Sequence, residues 1–199
     1  LAPSSPSEDD SAQAPPTPAM RAAARRGHLL HALFERLPAI PSDRRQDAAI
    51  RWLMGSAGVE TESAARAIAA DACAIIGAPD FAAIFSPASL SEAPIAAVLG
   101  DGIVVAGTVD RLLVEAERVR VVDFKTSRAV PAEAGAAPPA HLRQMSAYVE
   151  ALRVIFPDRR VEAALLYTAA PALLALPDEL LARYKPSLQL AQQKLVFDG

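Results

Sequence analysis

Residues 107–127 read GTVDRLLVEAERVRVVDFKTS. Two apolar runs, Arg111–Val114 and Val119–Phe124, flank the polar stretch EAER at 115–118. Short runs rich in valine around a polar turn predict an antiparallel hairpin. Its centre falls between Ala116 and Glu117, so Asp110 and Asp123 are equidistant from it and directly opposed across the ladder. Opposed Cβ atoms lie about 4.5–5.5 Å apart. Lys125, two residues past Asp123, shares its face because strands repeat every second residue. One hairpin face thus gathers two carboxylates and an ammonium.

Facing carboxylates repel unless positive charge sits between them. A hard divalent cation meets that need: Mg2+ takes one or two carboxylates together with waters and substrate phosphate. A lysine beside it can orient or deprotonate water, or neutralise developing phosphate charge. The competing reading is a solvated hairpin face carrying a weak Asp–Lys surface pair. The hairpin alone does not decide between them.

Around it the pattern alternates between helix and strand. RAAARRGHLLHALFERLP from Arg21 sets Leu30, Leu33, Phe34 and Leu37 at helical spacing before Pro38. Ser42 or Asp43 caps a second helix through Trp52 and Met54, and TESAARAIAADACAIIG from Thr61 is a third, ended by Gly77-Ala78-Pro79. Residues 80–92 read as mostly irregular. Pro94–Leu99, Ile103–Val109 and the two hairpin runs form a meander of short strands. A loop at 129–139, a helix at 140–156, a strand Val161–Thr168 and a short helix opened by Pro177-Asp178-Glu179 complete the reading. The predicted class is α/β or α+β, a mixed sheet flanked by helices after an N-terminal helical segment.

Composition bounds the function. A chain of 199 residues, 52% hydrophobic, can bury one sizeable core. Its net charge of -3 and pI near 5.6 leave nucleic-acid binding to a local patch, for which Arg111, Arg128 and Arg143 are the candidates. One cysteine, Cys73, excludes an internal disulfide and a four-cysteine zinc or iron–sulfur site. No apolar run approaches the roughly 20 residues of a membrane span, and a reducing cytoplasm fits. There is no G-x-x-x-x-G-K-[ST], hence no ATP site, and no G-x-S-x-G elbow. Residues 1–19, rich in Pro, Ser and acids, predict a disordered linker, and with Leu1 in place of methionine they suggest a fragment of a longer protein. The division expected is a linker at 1–19, a folded domain at 20–184 (helical part 20–78, sheet core 93–184) and a tail at 185–199 without an assigned role.

An acid on one strand and Asp123-Phe124-Lys125 on the next resembles the PD-(D/E)xK nucleases, although the proline of their name is absent before Asp110. Gly27-His28-Leu29-Leu30-His31 is similar to the G-x-x-x-H helix of the RecB-type branch, and Gln144-Met145-Ser146-Ala147-Tyr148 to its Q-x-x-x-Y helix. The wording RRGHLLHALFERLP, GTVDRLL and VVDFKTSR looks most like the C-terminal nuclease domains of AddA-type bacterial helicase–nucleases.

That resemblance implies a Mg2+- or Mn2+-dependent deoxyribonuclease in double-strand-break repair, bacterial and cytoplasmic. It implies an exonuclease acting on a single-stranded DNA end that emerges from a helicase. It further implies an upstream helicase domain, the source of any ATP dependence, and an AddB-like partner subunit. Asp110, Asp123 and Lys125 would be catalytic. His31, Asp110, Asp123 and the Phe124 carbonyl would hold the metal, with Glu92, where the family often has an acid, as a further candidate. Gln144 and Tyr148 would order the site and contact DNA. His28 carries no implied role. Two other readings stay open, a self-standing RecB-like exonuclease and an inert nuclease fold used for DNA binding or subunit docking.

Overall fold

The computed structural model describes residues 17–127 and 129–187. Three helices come first. In α1 (Pro18–Arg36) the Thr17 hydroxyl accepts from the Met20 N–H and Pro18 takes the first helical position. The helix therefore starts two residues inside the expected linker, whose residues 1–16 lie outside the described ones. α2 (Ser42–Gly55) and α3 (Glu62–Gly77) follow, α3 capped by Thr61 on the Ala64 N–H.

A five-stranded sheet succeeds them, β1 (Ser89–Val98), β2 (Val104–Val114), β3 (Arg118–Lys125), β4 (Arg160–Tyr167) and β5 (Ala172–Leu176), hydrogen-bonded in that order. Neighbours are antiparallel except β3 and β4, whose parallel pairing requires the crossover supplied by α4 (Pro139–Ile155). The short α5 (Asp178–Leu181) and a 3-10 turn at Ala182–Tyr184 are the last described elements.

Three expectations need correction. β1 begins at Ser89, five residues before the predicted start, so the sheet reaches back past residue 93. β2 is one strand of 11 residues, not two runs separated at Asp110. β5 was not expected, because Ala-Leu-Leu-Ala-Leu has weak strand propensity and is held as a strand by pairing with β4. Of the tail, residues 188–199 lie outside the described ones.

The sheet carries a different core on each face. On one, Leu142, Met145, Tyr148, Val149 and Leu152 of α4 pack on Val105, Val119, Val121, Leu165 and Tyr167. On the other, Leu30, Leu33 and Phe34 of α1 join α2 and α3 over Val122, Phe124, Ala164 and Leu166. Leu33 and Phe34 are fully buried, and each such side chain is worth about 1.5–3 kcal/mol, so the apolar stripe of α1 fastens it to the sheet.

Candidate active site

β1, β2 and β3 bring three acids into one row. Ser91 pairs with Arg111 and Ala93 with Val109, which sets Glu92 opposite Asp110. Arg111 pairs with Val122, and the next step of that register sets Asp110 opposite Asp123. The β1–β2 ladder skips its acid pair, and the β2–β3 ladder stops one step short of Asp110 and Asp123. At Glu92 the backbone turns left-handed, φ 47°, a conformation that costs a non-glycine residue about 1 kcal/mol or more. At Asp110 the carboxylate Oδ2 accepts the Phe124 N–H at 2.5 Å. Val109 and Leu112 are three residues apart, yet both lie in the α4 core, so the alternation of β2 breaks between them. The acids stand where the strands switch facing.

Lys125, Gln144 and Tyr148 tie this row to α4. Lys125 Nζ lies 2.7 Å from Asp123 Oδ2 and donates to Gln144 Oε1 at 2.8 Å. Gln144 Nε2 donates to Asp123 Oδ1 at 3.1 Å and to the Tyr148 hydroxyl at 3.3 Å, and that hydroxyl donates to the Thr108 carbonyl at 2.8 Å. The i, i+4 spacing puts Gln144 and Tyr148 on one helix face. Tyr148 is fully buried, so it orders Gln144 and does not reach DNA, contrary to the sequence expectation. Asp123 is 5% exposed. Burial raises its pKa to about 6, aided by Asp110 and opposed by Lys125 and His31.

From the opposite layer, His31 Nδ1 lies 3.5 Å from Asp110 Oδ1, and its ring meets Phe124 edge-on at 5.5 Å. Burial would lower the His31 pKa, but Asp110, Asp123 and Glu92 together raise it. Glu92 is also raised, by desolvation first and Asp110 second. Gly27 explains how α1 comes so close. A Cβ there would stand 2.8 Å from Thr126 Oγ1 and 3.2 Å from Thr126 Cβ, so any larger residue would have to displace Thr126 where the helix crosses the end of β3.

The expected arginine patch does not form as such. Arg111 is 3% exposed; its guanidinium donates to the carbonyls of Phe34 and Ser89 and lies over the Phe85 ring. It clamps α1 to the sheet and is not available to nucleic acid. Arg143 is exposed on α4 beside Gln144, and Arg128 lies outside the described residues.

Three carboxylates and an imidazole are the donor chemistry of a hard divalent cation such as Mg2+ or Mn2+. A carboxylate offers about four lone-pair sites, and the contacts above occupy about half of those on Asp110 and Asp123. The residues fit an ion chemically, although among the described residues no three His, Cys, Asp or Glu side chains form a ready-made cage.

Two neighbours escaped the sequence reading. His141 lies three residues before Gln144; burial and Lys125 hold its pKa down at about 4, and its buried Nδ1 has no hydrogen-bond partner among the described residues. The Tyr167 hydroxyl, on the residue paired with Lys125, is likewise buried without a partner, and its pKa is raised by burial and then Asp123. Spacing to Gln144 on the α4 face was the available signal for His141.

A family model described as the PD-(D/E)XK nuclease superfamily matches residues 8–193. No curated protein matches the chain. Among solved structures, one titled "Crystal structure of SSO0001" is 16% identical over 86% of this chain and 85% of its own, with a TM-score of 0.38. That likeness is too slight to add to the family match.

Proposed function

The chain belongs to the PD-(D/E)XK nuclease superfamily, and from that premise we propose that it is a metal-dependent deoxyribonuclease domain of an AddA-type helicase–nuclease. The observation that carries the nuclease reading is the row Glu92, Asp110, Asp123 across three neighbouring strands, with Lys125 held beside Asp123. An inert docking module has no use for three facing acids, two of them with raised pKa values. The helicase–nuclease context rests on the G-x-x-x-H and Q-x-x-x-Y helices, both of which turn a side chain to that row.

Asp110 and Asp123 would hold Mg2+ or Mn2+, with His31, Glu92 and the Phe124 carbonyl as further donors. When bound, the ion supplies Lewis-acid polarisation of the phosphate and stabilises charge on the leaving 3′ oxygen. Lys125 orients the attacking water for in-line displacement and neutralises charge developing on the phosphate. Gln144 keeps Lys125 and Asp123 at fixed separation, and Tyr148 anchors Gln144 to β2. The products would be a 5′-phosphate and a 3′-hydroxyl, released from a single strand fed by an upstream helicase with an AddB-like partner in a bacterial cytoplasm. Among the described residues no helix is long and apolar enough to cross a membrane.

Cleavage of labelled single-stranded DNA with Mn2+, Mg2+ or EDTA tests this reading. Activity with either ion, none in EDTA and none in Asp110→Asn or Asp123→Asn is expected. Cleavage that survives both substitutions would overturn it.

A further inference from the structure

Two buried polar atoms beside Lys125 go unused, the Tyr167 hydroxyl and His141 Nδ1; neither has a hydrogen-bond partner among the described residues. Native interiors leave few such atoms, and each calls for a reason. Tyr167 is paired with Lys125 in the parallel β3–β4 ladder, so the two side chains leave neighbouring strands on one face. That is the α4 face, where Val119, Val121, Leu165 and Tyr167 join the core. Gln144, which holds Lys125, is on α4, and His141 comes three residues earlier on the same helix face. Lys125 and His141 both line a groove of about 1040 Å3 that continues to Thr168, the residue after Tyr167, so the ammonium has open space on that side. Lys125 also helps keep the His141 ring neutral, which agrees with this placement. A neutral imidazole carries one N–H and one lone pair, so Nδ1 can accept. Asp123 has the opposite problem. Its Oδ2 holds Lys125 at 2.7 Å and its Oδ1 accepts from Gln144 at 3.1 Å. A divalent cation that draws on Asp123 repels the ammonium already there. The Lys125 side chain is only 14% exposed, and away from Asp123 it keeps Gln144 alone of the contacts above. A charge so buried needs a further acceptor.

We propose that Tyr167 and His141 are positioning residues that give Lys125 a second seat. When a cation takes Asp123, the ammonium turns to donate to the Tyr167 oxygen, and the Tyr167 O–H donates to His141 Nδ1. This rests on the metal-dependent nuclease reading and extends it to the lysine that the ion displaces. The donors then balance. Of the three ammonium N–H groups, one goes to Gln144, one to Tyr167, and the third is left for the attacking water. The two unused atoms thus have a partner in the second seat that they lack in the first.

The test follows Mn2+ binding through thermal melts of the full chain, with melts in EDTA as reference. Tyr167→Phe removes the hydroxyl and keeps the ring. In EDTA it should melt at or above wild type, because it sheds a buried hydroxyl without a partner. Its Mn2+ dissociation constant should rise about fivefold or more, the loss of a hydrogen bond to a charged group. His141→Leu should raise it about threefold or more, while His141→Asn, which sets an amide oxygen where Nδ1 stood, should stay within about twofold of wild type. In Lys125→Met no ammonium has to move, so adding Tyr167→Phe should change Mn2+ affinity less than about twofold. At saturating Mn2+, single-turnover cleavage by Tyr167→Phe should run about tenfold slow, since Lys125 has lost its seat. Mn2+ affinity blind to Tyr167→Phe, an equal effect of Tyr167→Phe with and without Lys125, or full-rate cleavage by that variant would overturn the proposal. So would a wild type whose melting ignores Mn2+. Wild-type cleavage without the Tyr167–Lys125 coupling would remove the second seat and leave the nuclease reading; coupling in a protein that cuts nothing would do the reverse.

Discussion

Asp123→Asn removes a charge that the fold holds at a cost. Burial and the facing Asp110 raise the Asp123 carboxyl from 3.8 to about 6, against the pull of Lys125 and His31. Each pKa unit is about 1.36 kcal/mol, so ionised Asp123 costs on the order of 3 kcal/mol at a pH above both values. The folded-state pKa is the higher one, so between about pH 4 and 6 the native state keeps a proton that the unfolded chain has lost. Stability should fall as pH rises through that window, and the cost vanishes below it. Asparagine escapes this cost, in which the Lys125 contact at 2.7 Å is already counted. The net expectation is a variant within about 1 kcal/mol of wild type at pH 4.5 and about 2 kcal/mol further ahead of it at pH 8.

Thermal melts in EDTA at both pH values measure this directly; about 2 kcal/mol corresponds to roughly 4–8 °C for a chain of this size. A variant well below wild type at pH 8 would refute the reasoning, because the carboxylate would then be a net stabiliser. Mn2+ supplies the second half of the experiment. At ten times its dissociation constant an ion that binds only the native state adds about 1.4 kcal/mol, or roughly 3–6 °C. Protons compete for the same carboxylate, so the shift should shrink at pH 5. Equal shifts in variant and wild type would take Asp123 out of the metal site and favour the non-catalytic reading.

Lys125→Ala should keep the Mn2+ shift and slow single-turnover cleavage by orders of magnitude; near-normal turnover beside dead aspartate variants would end its assigned role. Gly27→Ala, which on an open helix face would add up to about 1 kcal/mol, should instead destabilise by about 1–3 kcal/mol, and a double-mutant cycle with Thr126→Ala should show coupling above about 0.5 kcal/mol. Glu92→Gly should relieve the backbone at φ 47° and preserve or raise the melting temperature while cleavage falls; unchanged cleavage would leave Glu92 outside the site. Arg111→Met should cost about 2–3 kcal/mol through two orphaned carbonyls and leave oligonucleotide affinity unchanged, which an anisotropy titration checks.

The opposition of Asp110 and Asp123 was readable because EAER is a short turn with a definite centre and its register holds in the ladder. What was not readable follows from the break in β2. A strict two-residue period gives no warning that Val109 and Leu112 share one core, nor that Arg111 turns under the end of α1. Arginine is rarely buried, so a surface role was the natural expectation from sequence. Glu92 was visible only as an acid ahead of the sheet, since a left-handed residue inside a strand has no sequence signature when it is not glycine. Gly27 and His141 were visible as letters at fixed spacing. Their reasons, a helix crossing at van der Waals distance and a groove wall, exist only once α1 and α4 are set against β3.

The two cores explain why the acid row can exist at all. A carboxylate at the middle of either apolar layer would be desolvated without relief, which is costly. At the switch in facing, the row instead meets polar groups from both layers and from β3 itself: His31 and the Phe124 N–H reach Asp110, while Lys125 and Gln144 reach Asp123. The site is thus carried on strands and helices held from two sides, which fixes the donors more closely than loops would. The arrangement also divides its dependence. His31 and the Gly27 crossing depend on the N-terminal helical layer and Gln144 on α4, while Asp123 and Lys125 stand on β3, which both cores cover.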